Sequence, residues 1–299
     1  MTSSSFPGLP EASRPTIAMR DVNFGYKRGP VIVGFRWEVP SHCIAALLGL
    51  SGSGKSTMLA LLAGALKPDS GSVSLDGSNP LNTNTRRLIG YMPQLAGLYP
   101  DLSVEENLQV FGAGSKASAR GVDQILDLLQ LQLRRRDLVR DLSAGFQQRV
   151  SLGVALVGGP SYLLLDDPFA YADGEFSRRI WAHLRELAAQ GRTIIIATSN
   201  PQTAAKAHLV GVIRGGRLLS SNATAAIQPE GKGTVVLHYR EKTGPRKEEV
   251  QVDNYRQQLT GIVTNSPSKP FEVEIRQETL ENHLDRLMTE EPDHANPRA

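Results

Sequence analysis

The apolar run at residues 162–165 stops at two adjacent acids, Asp166 and Asp167, and then at Pro168. A buried strand that ends in paired carboxylates can be a plain strand end. It can also offer a metal ligand, Asp166, followed by a general base, Asp167. A second stretch points to related chemistry. Residues 49–56 read GLSGSGKS, which is G-x-x-x-x-G-K-[ST] between a strand pattern, IAALLGL, and a helical one. Its glycines (Gly49, Gly52 and Gly54) let the backbone N–H groups of the loop, those of Ser51 and Ser53 included, curl around phosphate oxygens at a positive helix N-terminus. Lys55 then reaches the β- and γ-phosphates, Ser56 offers its hydroxyl to Mg²⁺, and Thr57 is placed for the α-phosphate. The flanking strand and helix are the context this motif requires, so this is a nucleotide site.

Such groups need a frame that brings strand ends together, and the remaining pattern supplies one. TIAMRDVNFGY and VIVGFRWEV alternate like half-buried strands around a turn at 28–30. KPDSGSVSLDG is turn, strand, turn. Residues 101–160 read as helical, with Ser103 and Glu106 spaced as a capping box and VDQILDLLQLQL at helical period. A strand at 162–165, a helix at 175–190 and a strand in TIIIATS then alternate, as in a parallel sheet wrapped by helices. From about residue 229 the texture changes to three strand patterns, TVVLHYRE, EEVQVDN and FEVEIRQ. TLENHLDRLM follows, with Leu280, Leu284, Leu287 and Met288 on one helical face. The expected organisation is a loose tail at 1–15, an α/β domain at 16–228 with a helical part at about 95–160, and a small α+β extension at 229–299 with a disordered end.

A length of 299 residues with 40% hydrophobic content suits one compact domain plus an appendage. A net charge of +3 is too mild to claim nucleic acid. The basic cluster RRRDLVR at 134–140 reads as a solvated helix end, without the interleaved aromatics that stack on bases. No apolar run approaches the roughly 18 residues that span a bilayer. The start, MTSSSFPGLPEASRP, has no apolar h-region, so it is expected to be a tail and not a signal peptide. The single Cys43 excludes an internal disulfide and fits a reducing cytoplasm. Any membrane link is expected through a partner.

Further pieces fall in the order and spacing of ABC-type ATPases, which the sequence resembles across about residues 16–228. LSAGFQQR at 142–149 stands against the family signature LSGGQ-x-Q-R. The resemblance implies that Ser143 and Gly145 close over ATP bound to the opposite subunit. Gln94 in GYMPQ occupies the Q-loop place, a metal or water ligand and a contact point for the membrane subunit. Tyr26 matches the aromatic that stacks on adenine, and Asp173 the D-loop acid that speaks across the dimer. The fold implied is a P-loop NTPase of ABC type with an antiparallel β subdomain and a helical subdomain. GYMPQLAGLYPDLSVEENL, Phe146 in the signature and the C-terminal extension resemble the ATPases of type-two exporters.

In the family the first acid of the Walker B motif assists Mg²⁺ and the second, a Glu, polarises the attacking water. Asp166 suits the first role. Asp167 takes the second place one methylene short, about 1.5 Å of reach, where a misplacement of roughly 1 Å can cost about 10²-fold. TIIIATSNPQTAA aligns with the switch segment, where Ser199 replaces the usual His; Phe169 and Tyr171 replace small residues of the D-loop segment. Together these changes point to a γ-phosphate site tuned to bind more than to hydrolyse. The function implied is an ATP-binding subunit of an ABC exporter, using ATP and Mg²⁺ with slow hydrolysis, paired with a second ATPase subunit and membrane permease subunits and peripheral at the cytoplasmic face. The alternative is a non-hydrolysing nucleotide-binding partner of an intact ATPase. Soluble ABC proteins acting on ribosomes or DNA carry two fused units or long coiled-coil insertions, and this sequence has neither.

Overall fold

The computed structural model describes residues 16–94, 97–113, 119–224, 233–241, 244–252, 255–264, 270, 272–277 and 279–289. The expected tail at 1–15 and the end of the chain from 290 lie outside the described residues. Two compact units divide between Ala225 and Ala226.

In chain order the first unit contains β1 (Ile17–Tyr26), β2 (Gly29–Val39), β3 (Ile44–Leu48), α1 (Lys55–Leu62), β4 (Ser70–Leu75), α2 (Thr83–Arg86) and β5 (Ile89–Met92). It continues with α3 (Val104–Gly112), α4 (Ala119–Leu128), α5 (Ala144–Leu156), β6 (Tyr162–Asp166), α6 (Gly174–Ala189), β7 (Thr193–Thr198), α7 (Pro201–Ala204), β8 (Leu209–Arg214) and β9 (Arg217–Ala223). The main sheet has the order β5-β6-β7-β3-β8-β9. Strands β5 to β8 run parallel along that order and β9 is antiparallel to β8. Every residue of β3, β6 and β7 is buried, which is why these strands are written as unbroken apolar runs.

A smaller antiparallel sheet, β2-β1-β4, lies over this one. Its first hairpin reverses at Lys27–Arg28, with Tyr26 paired to Gly29, so the turn is earlier than the 28–30 expected. Pro30 already lies in β2, paired with Gly25, because β2 is an edge strand, where a missing N–H is tolerated. Met19, Phe35, Leu47, Met58 and Leu62 belong to one core joining both sheets and α1. Burial of each such side chain contributes about 1.5–3 kcal/mol, so α1 is held firmly and the loop ahead of it has a fixed seat.

The helical part departs from expectation in one stretch. Ser103 and Glu106 do form a capping box at the start of α3. Helix α4, however, ends at Leu128, because Gln130 adopts a left-handed conformation at φ +58°. Two 3₁₀ turns, Gln132–Arg134 and Val139–Asp141, follow. The basic cluster therefore lies on turns and not on a helix end. Three of its four cations are paired: Arg134 with Asp137 at 3.0 Å, Arg135 with Glu105 at 2.5 Å, and Arg140 with Asp101.

The second unit contains β10 (Gly233–Glu241), β11 (Gly244–Val252), α8 (Tyr255–Thr264), β12 (Glu272–Gln277) and α9 (Leu280–Thr289). Its sheet, β11-β10-β12, is antiparallel and packs Val235, Leu237 and Tyr239 with Leu259, Ile262 and Val263 of α8. In α9, Leu284 and Met288 are buried, while Leu280 and Leu287 are half-buried. Because this unit has its own core, a 1–228 fragment is expected to fold and to keep the nucleotide affinity of the full chain in a calorimetric titration. A folded fragment that binds no nucleotide would refute this.

Candidate functional site

Strands β3, β6 and β7 are neighbours in one parallel sheet, so the loops after them emerge at the same edge. The loop after β3 is tied to β7 by Gly49 N–H, which donates to Thr198 O at 3.2 Å. The turn after β6 is tied there too, Asp167 N–H donating to Ala197 O at 2.8 Å. Backbone bonds thus fix the phosphate loop and the acid pair to one strand end. The β8–β9 turn adds a further brace: Gly216 N–H donates to Ser53 O at 3.1 Å and its carbonyl accepts from Val33 N–H at 3.0 Å.

Two glycines of the loop are required by their surroundings. A Cβ on Gly49 would lie 2.4 Å from the carbonyl oxygen of Ile213. Gly54, the residue that precedes α1, has φ +106°, a conformation L side chains rarely adopt. Lys55 opens α1 and donates to the carbonyls of Gly49 and Leu50, both at 2.8 Å, which holds its ammonium over the loop. Burial lowers the Lys55 pKa, opposed by the nearby Asp166 and Asp167 carboxylates.

One cleft of about 250 Å³ is lined by Ser51, Gly52, Gly54, Lys55, Ser56, Thr57, Gln94, Asp166, Asp167 and Ser199, together with Val31. It gathers every phosphate-loop, acid and switch residue named from the sequence except Gly49 and Ser53, which shape the loop. Tyr26 lines an adjoining groove with Val31, its ring edge-on to Phe24 at 5.0 Å and half exposed. Val31 lies in both, so the aromatic face and the phosphate cradle are continuous along β2.

Asp166 is buried, and burial raises its carboxyl pKa; the Ser56 hydroxyl, the Lys55 ammonium and the Gln94 backbone N–H oppose the rise, and Asp167 adds to it. Its Oδ2 is fully enclosed with no hydrogen-bond partner. A buried carboxylate oxygen left unsatisfied beside a serine hydroxyl fits Mg²⁺, which binds through one or two carboxylates plus substrate phosphates. The described residues hold no cluster of three His, Cys, Asp or Glu side chains, so an all-protein metal cage is not among them.

Asp167 stands at φ +49°, in the left-handed region where Asp is better tolerated than most residues. Its Oδ1 lies 3.5 Å from the Thr198 hydroxyl, on the sheet side of the cleft. Burial raises its pKa too, against the pull of Lys55 and Thr198. Ser199, just beyond β7, is exposed at the cleft and carries no ring nitrogen.

Ser143, Gly145 and Asp173 are not in this cleft. Ser143 caps α5 by position, exposed and without a side-chain cap bond. Gly145 faces Tyr171, whose Cβ would be 3.6 Å from an added methyl. Asp173 caps α6, accepting from Phe176 N–H at 2.8 Å, and pairs with Arg149 at 3.5 Å.

The sequence profile of the family described as ABC transporter matches residues 33–170. Nod factor export ATP-binding protein I of Paraburkholderia xenovorans (strain LB400) is 35% identical over 227 residues, covering 73% of this chain and 73% of that protein. This chain belongs to the ABC transporter ATP-binding proteins. ABC transporter G family member 20 of Dictyostelium discoideum is also 35% identical, over 69% of this chain; the chain spans only 29% of that protein's length. The dimeric structure of a bacterial ABC transporter cassette superposes with a TM-score of 0.64 at 25% identity, over 70% of this chain and 98% of that one. The six-stranded sheet, the small antiparallel sheet and the helical part are thus those of an ABC cassette, and no helix among the described residues is long and apolar enough to cross a membrane.

Three residues of this ABC site escaped the sequence reading. Thr198 holds the Asp167 carboxylate, Val31 joins the two grooves, and Gln148 reaches the Asp167 backbone. Gln148 lies within the signature segment and Thr198 just before the switch position, but their contacts come from elements distant in the chain. Phe146, apolar where the family signature has Gln, is flanked by the guanidinium groups of Arg134 and Arg149, 5.2 and 5.3 Å from its ring centre. Phe169 is stacked on Trp181 at 5.4 Å, which gives that departure a packing reason.

Proposed function

We propose that the chain binds Mg·ATP in this cleft and hydrolyses it slowly, as one subunit of an exporter's ATPase pair. The observation that carries the reading is the retracted acid: Asp167 sits against Thr198 while Ser199 offers no imidazole toward the γ-phosphate position. Tyr26 takes the adenine face, Lys55 and the N–H groups at the start of α1 take the phosphate charge, and Asp166 with Ser56 holds Mg²⁺. Bound Mg²⁺ supplies charge neutralisation between the phosphates. Gln94 and Asp167 orient the attacking water, and Asp167 accepts its proton. Ser199 contributes one hydroxyl where an imidazole would reach further.

Ser143 and Gly145 do not line their own cleft, and the family resemblance gives them the nucleotide of a partner subunit. The same missing imidazole favours a second reading, in which this chain clamps ATP without turnover beside an intact ATPase. Phosphate release by the purified chain, alone and with its partner subunits, separates the two. A measurable rate abolished by Lys55→Ala supports slow hydrolysis; a rate at the blank level supports the clamp.

The permease contact is assigned to the helical part just beyond Gln94. Tyr99, Val110 and Phe111 are exposed there, with the Tyr99 and Phe111 rings 5.6 Å apart. Such a patch suits an apolar partner segment. Phe111→Glu is expected to leave ATP affinity unchanged and to remove co-purification with the permease. Retained co-purification would place the contact elsewhere.

A further inference from the structure

We propose that Gln148 of α5 is a positioning residue that holds Asp167 and the loop behind it in working geometry. This rests on the reading of Asp167 as the group that acts on water. Gln148 spans two backbone points: its Nε2 donates to Asp167 O at 2.9 Å, and its Oε1 accepts from Tyr171 N–H at 3.1 Å. One side-chain amide therefore clamps both ends of the 167–171 turn.

The clamp has a reason in backbone strain. Asp167 is a non-glycine residue at φ +49°, and such conformations persist only where the surroundings over-determine them. Three contacts do so: Asp167 N–H to Ala197 O at 2.8 Å, Ala170 N–H to Asp167 O at 3.2 Å, and the Gln148 amide on that same carbonyl. The first belongs to the sheet and the second to the turn itself. Gln148 is the only one of the three that comes from the helical part. It lies five residues after Ser143, about 7.5 Å along α5 at 1.5 Å per residue. The water-polarising acid is thus pinned from the same helix that carries the signature residues.

The donor and acceptor halves can be separated. Gln148→Met keeps side-chain length and loses both bonds. Gln148→Glu keeps the acceptor for Tyr171 N–H and loses the donor to Asp167 O. Both variants are expected to lower the maximal rate of phosphate release about tenfold or more, as loss of roughly 1 Å of alignment does, with KM for ATP unchanged. In an Asp167→Asn background Gln148→Met is expected to add no further loss, because the residue acts through Asp167. Site-resolved amide exchange is expected to quicken at Tyr171 in Gln148→Met and to stay native in Gln148→Glu. A rate change that persists undiminished in Asp167→Asn would overturn the proposal, as would unaltered Tyr171 exchange in Gln148→Met. If the native protein releases no phosphate at all, slow hydrolysis fails and the exchange result alone decides whether Gln148 holds the loop.

Discussion

Lys55→Ala is expected to abolish measurable Mg·ATP binding in a calorimetric titration while the protein stays folded. Among the described residues, Lys55 is the sole cation lining the cleft, beside neutral loop residues and two carboxylates. Its removal leaves the triphosphate facing Asp166 and Asp167 with no side-chain cation among the described lining residues. Truncating one partner of a buried, hydrogen-bonded charge pair costs about 2–5 kcal/mol, or roughly 30-fold to more than 10³-fold in affinity. The loop also loses its internal tie, since the Lys55 ammonium holds the Gly49 and Leu50 carbonyls. Unchanged affinity in that titration would sink the assignment of the phosphate cradle. A circular-dichroism melt on the same sample separates lost binding from lost fold.

Asp167→Glu is expected to raise phosphate release at saturating Mg·ATP, by about tenfold or more. The extra methylene carries the carboxylate off Thr198 and toward the centre of the cleft. Glu tolerates the left-handed backbone less well than Asp, but the Ala197, Ala170 and Gln148 contacts hold that backbone for either side chain. Ser199→His supplies an imidazole at the other side of the same cleft, and alone it is expected to do less. The double variant should exceed the product of the single gains, because both groups act on one transition state. Asp167→Asn is expected to lower the native rate at least as far as Gln148→Met does, because Gln148 acts through this carboxylate. The measurement is phosphate release by the native protein and the four variants against a Lys55→Ala blank. A brisk native rate that Asp167→Glu lowers would show that Asp is the working base and that the site is not retracted.

The phosphate loop, the acid pair and the family were legible in the sequence because each is a contiguous segment. GLSGSGKS is recognisable from its own spacing, and the unbroken apolar runs of β3, β6 and β7 announce strands covered on both faces. Local spacing also revealed the capping box at Ser103 and Glu106. Spacing failed where a single backbone state intervened: Gln130 turned out of the helix that VDQILDLLQLQL seemed to continue. The first hairpin turns earlier than expected, and that Pro30 can sit in β2 follows from its edge position, a property of the sheet and not of the segment.

What only the tertiary structure decided is how groups far apart in sequence share one cleft and which of them restrain Asp167. The sequence by itself determined that the second acid is Asp and that Ser199 replaces an imidazole. It could not say that Asp167 lies against Thr198, 31 residues later, or hangs from Gln148, 19 residues earlier. Those contacts exist because parallel strands β6 and β7 end side by side and α5 passes over the turn between β6 and α6. Hydrogen bonds across such distances leave no periodicity in the chain: a glutamine on a helix reads as a solvated residue until the fold brings a strained carbonyl within its reach.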